Sequence, residues 1–217
     1  MTNGSNSEGI PYAAGIVRGF LHQPPGGGSD GLILAHGAGS DARAPLLEAA
    51  AKAFAQTGIL VLRCDLPFRQ RKPHGPPSPA DAAADRANLR EAARELRAFA
   101  HNRIFLGGHS YGGRQATMLA AEDPQVAGAL LLFSYPLHPP NQPGKSRTAH
   151  FAELRTPAMF VHGTKDAFGS PEEMRAALRL PPAPTSLVIL DRAGHDLRRG
   201  KFDFPSIVVA PFLHFIK

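Results

Sequence analysis

Residues 103–122 read RIFLGGHSYGGRQATMLAAE. A short apolar run, Arg103 to Gly107, leads into Gly108-His109-Ser110-Tyr111-Gly112, and an amphipathic stretch of helical period follows from Gly112 to Glu122. Strand, sharp turn and helix in that order are the setting in which a G-x-S-x-G segment lifts a serine hydroxyl clear of its own backbone. The spacing has a steric cause. Strand and helix backbones crowd together at the turn, so the residues two before and two after the serine must lack side chains. Gly108 and Gly112 meet that demand, and Gly107 and Gly113 add clearance. Ser110 is therefore the candidate nucleophile.

The same alternation extends along the chain in both directions. Leu32 to His36, Ile59 to Asp65, Ala129 to Ser134, Ala158 to His162 and Ser186 to Leu190 are short, apolar on both faces and bounded by Gly, Pro or Asp, as buried strands are. Between them lie the helical patterns Pro45 to Gln56, Asp81 to His101, Pro171 to Leu180 and Pro205 to Phe215. A further strand near Ala13 to His22 is expected to fold back antiparallel, as a hairpin, on the strand beyond the QPPGGGSD turn. The expectation is an α/β fold: a mostly parallel central sheet of about seven strands with helices on both faces. Residues 1–12 read as a flexible, polar N-terminal tail and residues 13–217 as one domain. Ser170-Pro171-Glu172-Glu173 carries the start signals of a helix, with Ser170 as cap and Glu173 able to reach back to it.

A serine hydroxyl attacks at neutral pH only if a base takes its proton, and the base needs an acid to hold its tautomer. In a parallel sheet of this kind the acid follows a later strand and the histidine follows the last one. PAMFVHGTKD places Asp166 just beyond the strand ending at His162, and TSLVILDRAGHD places His195 just beyond the final strand. Asp191, Asp196 and Glu173 are the rival carboxylates; the first two share the histidine's own strand end and loop, a poor place from which to reach its far ring nitrogen. An oxyanion needs two backbone N–H donors. The amide of Tyr111 is one. LILAHGAGSD supplies a Gly-flanked turn for the other, with Ala38 as the candidate, Gly39 as the substitute, and His36 expected to orient the turn.

These residues resemble the α/β-hydrolase superfamily from about Gly31 to the C-terminus, through His36-Gly37-Ala38, Gly108 to Gly112, Gly163 to Asp166 and Gly194-His195. SYPLHPP and GTKDAFGSPEE are similar to segments of small, lidless predicted hydrolases related to dienelactone hydrolases, from which this chain departs by having Ser rather than Cys as nucleophile. The resemblance implies no cofactor and a serine hydrolase that cleaves a small ester or thioester through an acyl-enzyme. A non-catalytic interaction module on the same fold is the alternative, since a chromatin-complex subunit without catalysis resembles the same group.

Composition narrows the field further. With 43% hydrophobic and 19% charged residues in 217, the chain is neither disordered nor fibrous. A single cysteine, Cys64, forms no internal disulfide and reads as a core residue; together with a polar start lacking an apolar stretch, it points to the cytoplasm. No apolar run is long enough to cross a bilayer. The net charge of +6 is spread along the chain without interleaved aromatics, which reads as solvated surface rather than a nucleic-acid groove. No pair of histidines has metal-ligand spacing with a carboxylate, so no metal is expected, and His109 and His162 read as structural hydrogen-bonders. The partner is expected to be a small acyl compound, and the protein a monomer or homodimer.

The stretch from Tyr135 to Thr156 is too short and too rich in proline for a helical cap, so an open site is expected, with Gly39, Tyr135, Leu137, His138 and Phe168 as pocket walls. Arg69, Arg71 and Lys72, with Arg198 and Arg199, are placed to draw in an anionic acyl compound by a screened field.

Overall fold

The computed structural model describes residues 9–197 and 203–217. Its centre is an eight-stranded sheet: β1 (Ile10–Ala14), β2 (Val17–His22), β3 (Asp30–Ala35), β4 (Ile59–Cys64), β5 (Ile104–His109), β6 (Ala129–Phe133), β7 (Ala158–Gly163) and β8 (Thr185–Leu190). They lie in the order β1-β2-β4-β3-β5-β6-β7-β8. β3 to β8 are parallel, and β1 and β2 are antiparallel additions at one edge. The α/β architecture expected from the sequence is present, with one strand more than the seven anticipated.

The extra strand is at the N-terminus. The stretch Ala13 to His22 is not one strand: the chain reverses at Gly15, which has φ 52°, so that Ala14 opposes Val17 and two strands result, the first starting at Ile10. The hairpin joins β1 to β2, and β2 then pairs with β4 rather than with β3.

Helices α1 (Pro45–Ala55), α2 (Pro67–Arg71), α3 (Asp81–Leu96), α4 (Tyr111–Glu122), α5 (Pro171–Ala177) and α6 (Ala210–Phe215) flank the sheet. The chain leaves β3 over α1 to β4, then doubles back past β3 to β5. Because crossovers are right-handed, this reversal puts α1 on one face and α3 and α4 on the other. The packing agrees: Leu47 and Phe54 of α1 share a buried cluster with Phe212 of α6, while Leu89 and Leu96 of α3 share the opposite one with Leu119 of α4 and Met174 of α5. The crevice at which strand order reverses, between β3 and β5, is where sheets of this class place ligands.

Several ends differ from the sequence pattern for local reasons. α3 stops at Leu96, not His101, as the chain tightens into three-residue bonds such as Ala98 N–H to Glu95 O. The last helix is continuous from Pro205, but its first turn, Pro205–Val209, has π geometry; Pro211 has no N–H to offer the carbonyl four residues earlier. α2 has no periodic pattern because it is only one turn long. The Ser170 capping box is formed, with Glu173 N–H on Ser170 Oγ at 3.2 Å and Ser170 N–H on Glu173 Oε2 at 2.7 Å. Among the described residues no cap covers the sheet edge: the link from β6 to β7 contains a single 3-10 turn, Ala149–Glu153, and no described helix is long and apolar enough to cross a membrane.

Candidate active site

Parallel register brings the C-terminal ends of the strands to one edge, with Ala35 beside both Cys64 and Gly108, and Gly163 beside Leu190. The loops carrying His36, Ser110, Asp166 and His195 therefore emerge together. Ser110 caps α4 at φ 50° and ψ −114°, a region L-residues avoid. The glycines around it are sterically required: a Cβ on Gly108 would lie 2.2 Å from the Ala35 carbonyl oxygen, and one on Gly112 would lie 2.5 Å from that of His36.

Three side chains from distant loops meet here. His195 Nε2 lies 2.8 Å from Ser110 Oγ, and Nδ1 lies 2.9 Å from each oxygen of Asp166. A carboxylate on both sides of Nδ1 fixes the proton there, which leaves the Nε2 lone pair to accept the Ser110 hydroxyl. The Asp166 side chain is 0% exposed and also accepts from Phe168 N–H at 2.9 Å. None of its rivals takes that place: Asp191 is solvent-exposed beside Arg192, and Glu173 is engaged in the capping box. Asp196 lines the cavity in front of Ser110.

Neighbouring histidines hold this set in place. His109 donates from Nε2 to the His195 carbonyl at 2.8 Å; burial pushes its pKa down to about 4, so the ring stays neutral. His162, wholly buried, donates from Nε2 to the Gly169 carbonyl at 2.8 Å and so closes the loop that carries Asp166. The Phe168 ring lies on the His195 imidazole, centroids 4.1 Å apart.

The turn after β3 is built around its own carbonyls. Ser40 N–H bonds Gly37 O at 3.2 Å, which puts Ala38 and Gly39 at the turn's centre. Leu66 N–H donates to His36 Nε2 at 3.0 Å, so the proton sits on Nδ1 and is donated to Gly37 O at 2.9 Å. Burial holds the His36 pKa below its usual value and keeps that neutral tautomer. A trans peptide sets the Ala38 N–H opposite the Gly37 carbonyl, so His36 fixes the direction of the amide proposed as oxyanion donor. Tyr111, the first residue of α4, is among the four whose N–H has no acceptor within the helix. Its hydroxyl donates to Asp85 Oδ2 at 2.7 Å, while Asp85 Oδ1 accepts from Phe68 N–H at 3.2 Å. Burial raises the Asp85 pKa.

The site opens on a cavity of about 330 Å³ walled in part by Ala38, Gly39, Ala44, Pro45, Leu46 and Phe168. Gly39 and Phe168 thus stand where the sequence suggests. Tyr135 and His138 do not. Tyr135 is buried, its hydroxyl donating to the Arg147 carbonyl at 2.8 Å and its ring packed between Phe151 and Phe160. It follows Ser134, whose φ of 47° turns the chain as it leaves β6. His138 and Leu137 line a second cavity with Glu173. Arg69 is not a solvated cation: it is buried and donates to four backbone carbonyls. Arg71 pairs with Asp81, and Arg198 and Arg199 lie outside the described residues. Sequence reasoning missed Ala44, Pro45 and Leu46; Pro45 at a helix start marks the turn but not its facing.

Comparison with known proteins agrees with this fold. A family described as an alpha/beta hydrolase domain matches residues 29–203. Among solved structures, a dienelactone hydrolase from Anabaena variabilis is 22% identical over 96% of each chain, with a TM-score of 0.68. A lidless α/β serine hydrolase from Xanthomonas campestris is 17% identical over 92% of this chain and 88% of that one, at 0.70. Est1E from Butyrivibrio proteoclasticus, with ferulic acid bound, is 16% identical over 91% and 94%, at 0.72. These are likenesses of fold.

Proposed function

The chain belongs to the alpha/beta hydrolase domain family, and from that membership we propose that it is a serine hydrolase acting on small esters or thioesters through an acyl-enzyme. The observation that carries the reading is the continuous chain from Asp166 through His195 to Ser110, with links of 2.9 and 2.8 Å. Ser110 Oγ attacks the substrate carbonyl as its proton passes to His195 Nε2, and Asp166 stabilises the imidazolium. Negative charge on the carbonyl oxygen is received by the N–H groups of Tyr111 and Ala38. Collapse of the tetrahedral intermediate expels the leaving group, which takes the proton from His195. Water, deprotonated by the same ring, then attacks the acyl carbon; the acyl–Oγ bond breaks as Ser110 Oγ takes the proton back from His195, and the acid is released.

The apolar cavity walls at Ala44, Pro45 and Leu46 suit a short acyl chain, and the open edge suits a leaving group that extends into solvent. Attraction of an anionic substrate draws no support from Arg69, which is buried and gives four of its five N–H groups to backbone carbonyls. The buried, unpaired Cys64 suits a reducing compartment such as the cytoplasm.

The test is a panel of p-nitrophenyl esters and acyl thioesters of graded chain length, run with the native protein and Ser110→Ala, alongside fluorophosphonate labelling. Labelling and turnover that vanish in Ser110→Ala support the enzyme. A well-folded native protein that takes no label and turns over nothing is the interaction module instead.

A further inference from the structure

Arg69 is 9% exposed; its guanidinium lies over the Phe68 ring, 5.0 Å from the centroid, and among the described residues its hydrogen bonds go to backbone carbonyls. Nη2 donates to Ala38 O at 2.7 Å and Gly75 O at 3.0 Å, Nε to Ser40 O at 2.9 Å, and Nη1 to Lys72 O at 3.1 Å. Two of these carbonyls belong to the turn that supplies the proposed oxyanion donor. The geometry points to Arg69 as a positioning residue for the oxyanion hole, a brace that holds the Ala38–Ser40 turn in its working orientation. This inference rests on the serine-hydrolase reading of the same site.

The constraint acts through peptide planes. His36 holds the Gly37 carbonyl and so directs the Ala38 N–H; Arg69 holds the next carbonyl, that of Ala38, and so directs the Gly39 N–H. Rotation of the unit between Ala38 and Gly39 would strand a guanidinium donor in a buried place, which is unfavourable. Ala38 and Gly39 line the cavity in front of Ser110, so the carbonyls point back to Arg69 while the turn faces the substrate.

The brace is also tied to the other proposed donor. Arg69 lies on α2; the preceding residue, Phe68, gives its N–H to Asp85 Oδ1, whose Oδ2 takes the Tyr111 hydroxyl, and the Phe68 and Tyr111 rings are 5.5 Å apart. One carboxylate and one guanidinium therefore connect the turn after β3 with the start of α4. A lysine cannot replace this fork, because a single ammonium on a flexible stem cannot span four carbonyls at fixed angles.

The experiment compares native protein, Arg69→Lys and Arg69→Met, each checked for folding by circular dichroism. Turnover of the best p-nitrophenyl ester and amide hydrogen exchange of residues 36–42 are measured. A brace predicts kcat lower by about 10- to 100-fold in both variants. It predicts KM within about twofold, faster exchange in the turn, and weaker inhibition by a trifluoromethyl ketone in proportion to kcat. Millimolar guanidinium should recover part of the kcat of a third variant, Arg69→Ala. Unchanged kcat, a rise in KM alone, or unchanged exchange overturns the brace. If Arg69→Met does not fold, Arg69→Lys decides alone. If the native protein neither labels nor turns over substrate, the hydrolase reading falls and Arg69 has no oxyanion to serve; faster exchange would then show only that it holds the turn.

Discussion

His109 holds His195 by its backbone: Nε2 of the first donates to the carbonyl of the second at 2.8 Å, and their rings lie 5.2 Å apart. The residue just before the proposed nucleophile thus fixes the loop that brings the base. His109→Leu is expected to lower kcat about 10-fold, since a misplacement of the base well under 1 Å is already costly. His109→Gln, which keeps a donor, should recover much of the loss, with KM little changed in both. Steady-state kinetics of the three proteins decide it, and equal kcat in His109→Leu would remove the positioning role.

Asp166 is reached by the imidazole through both of its oxygens. Asp166→Asn is expected to lower kcat by about 10³- to 10⁴-fold by favouring the wrong tautomer, and Ser110→Ala by at least as much. Combining them should add little. The measurement is kcat for the two single variants and the double variant; additive losses would mean that the three side chains do not act as a unit.

Leu46 and Ala44 wall the cavity beside Ser110. Leu46→Trp should shorten the tolerated acyl chain, lowering kcat/KM for hexanoyl esters by about 10-fold or more relative to acetyl esters. A chain-length series on both proteins checks this. Loss of the same factor at every length would place the acyl chain elsewhere.

Acid should weaken the fold before it protonates carboxylates. His22 accepts a hydrogen bond from Arg63 Nε at 2.9 Å, and burial lowers its pKa to about 4; His150, beside Arg114 and Arg86, is lowered to about 4 for the same first reason. The unfolded chain binds these protons near pH 6.5 and the folded one does not, so the stabilisation is complete above about 6.5 and is lost as pH falls toward about 4. Urea midpoints measured from pH 7 to 4 should fall across that window, and His150→Gln should flatten the profile. A flat native profile would contradict the assignment.

Much of this arrangement is legible from residue order alone, because each parallel strand ends at the same edge and the punctuation after it is local. Ser110, Asp166 and His195 could be read that way, and the structure brings them within hydrogen-bonding distance. What stayed hidden depends on where side chains turn. Arg69 looks like any surface cation in sequence, and only the fold shows four carbonyls around it. Tyr135 follows a strand as pocket residues do, yet the left-handed backbone of Ser134 precedes its entry into the core. Asp85 lies mid-helix, where no periodicity distinguishes a buried acceptor from an exposed charge.

The corner at residue 110 has a further consequence for the life of the protein. A seryl residue at φ 50° and ψ −114° occupies a conformation natural only to glycine, at a cost of about 1–3 kcal/mol. That energy is withdrawn from a total of only about 5–15 kcal/mol. Ser110→Gly should therefore melt at a higher temperature than the native chain while losing the proposed nucleophile, and under the serine-hydrolase reading heat resistance and turnover at this position are competing traits.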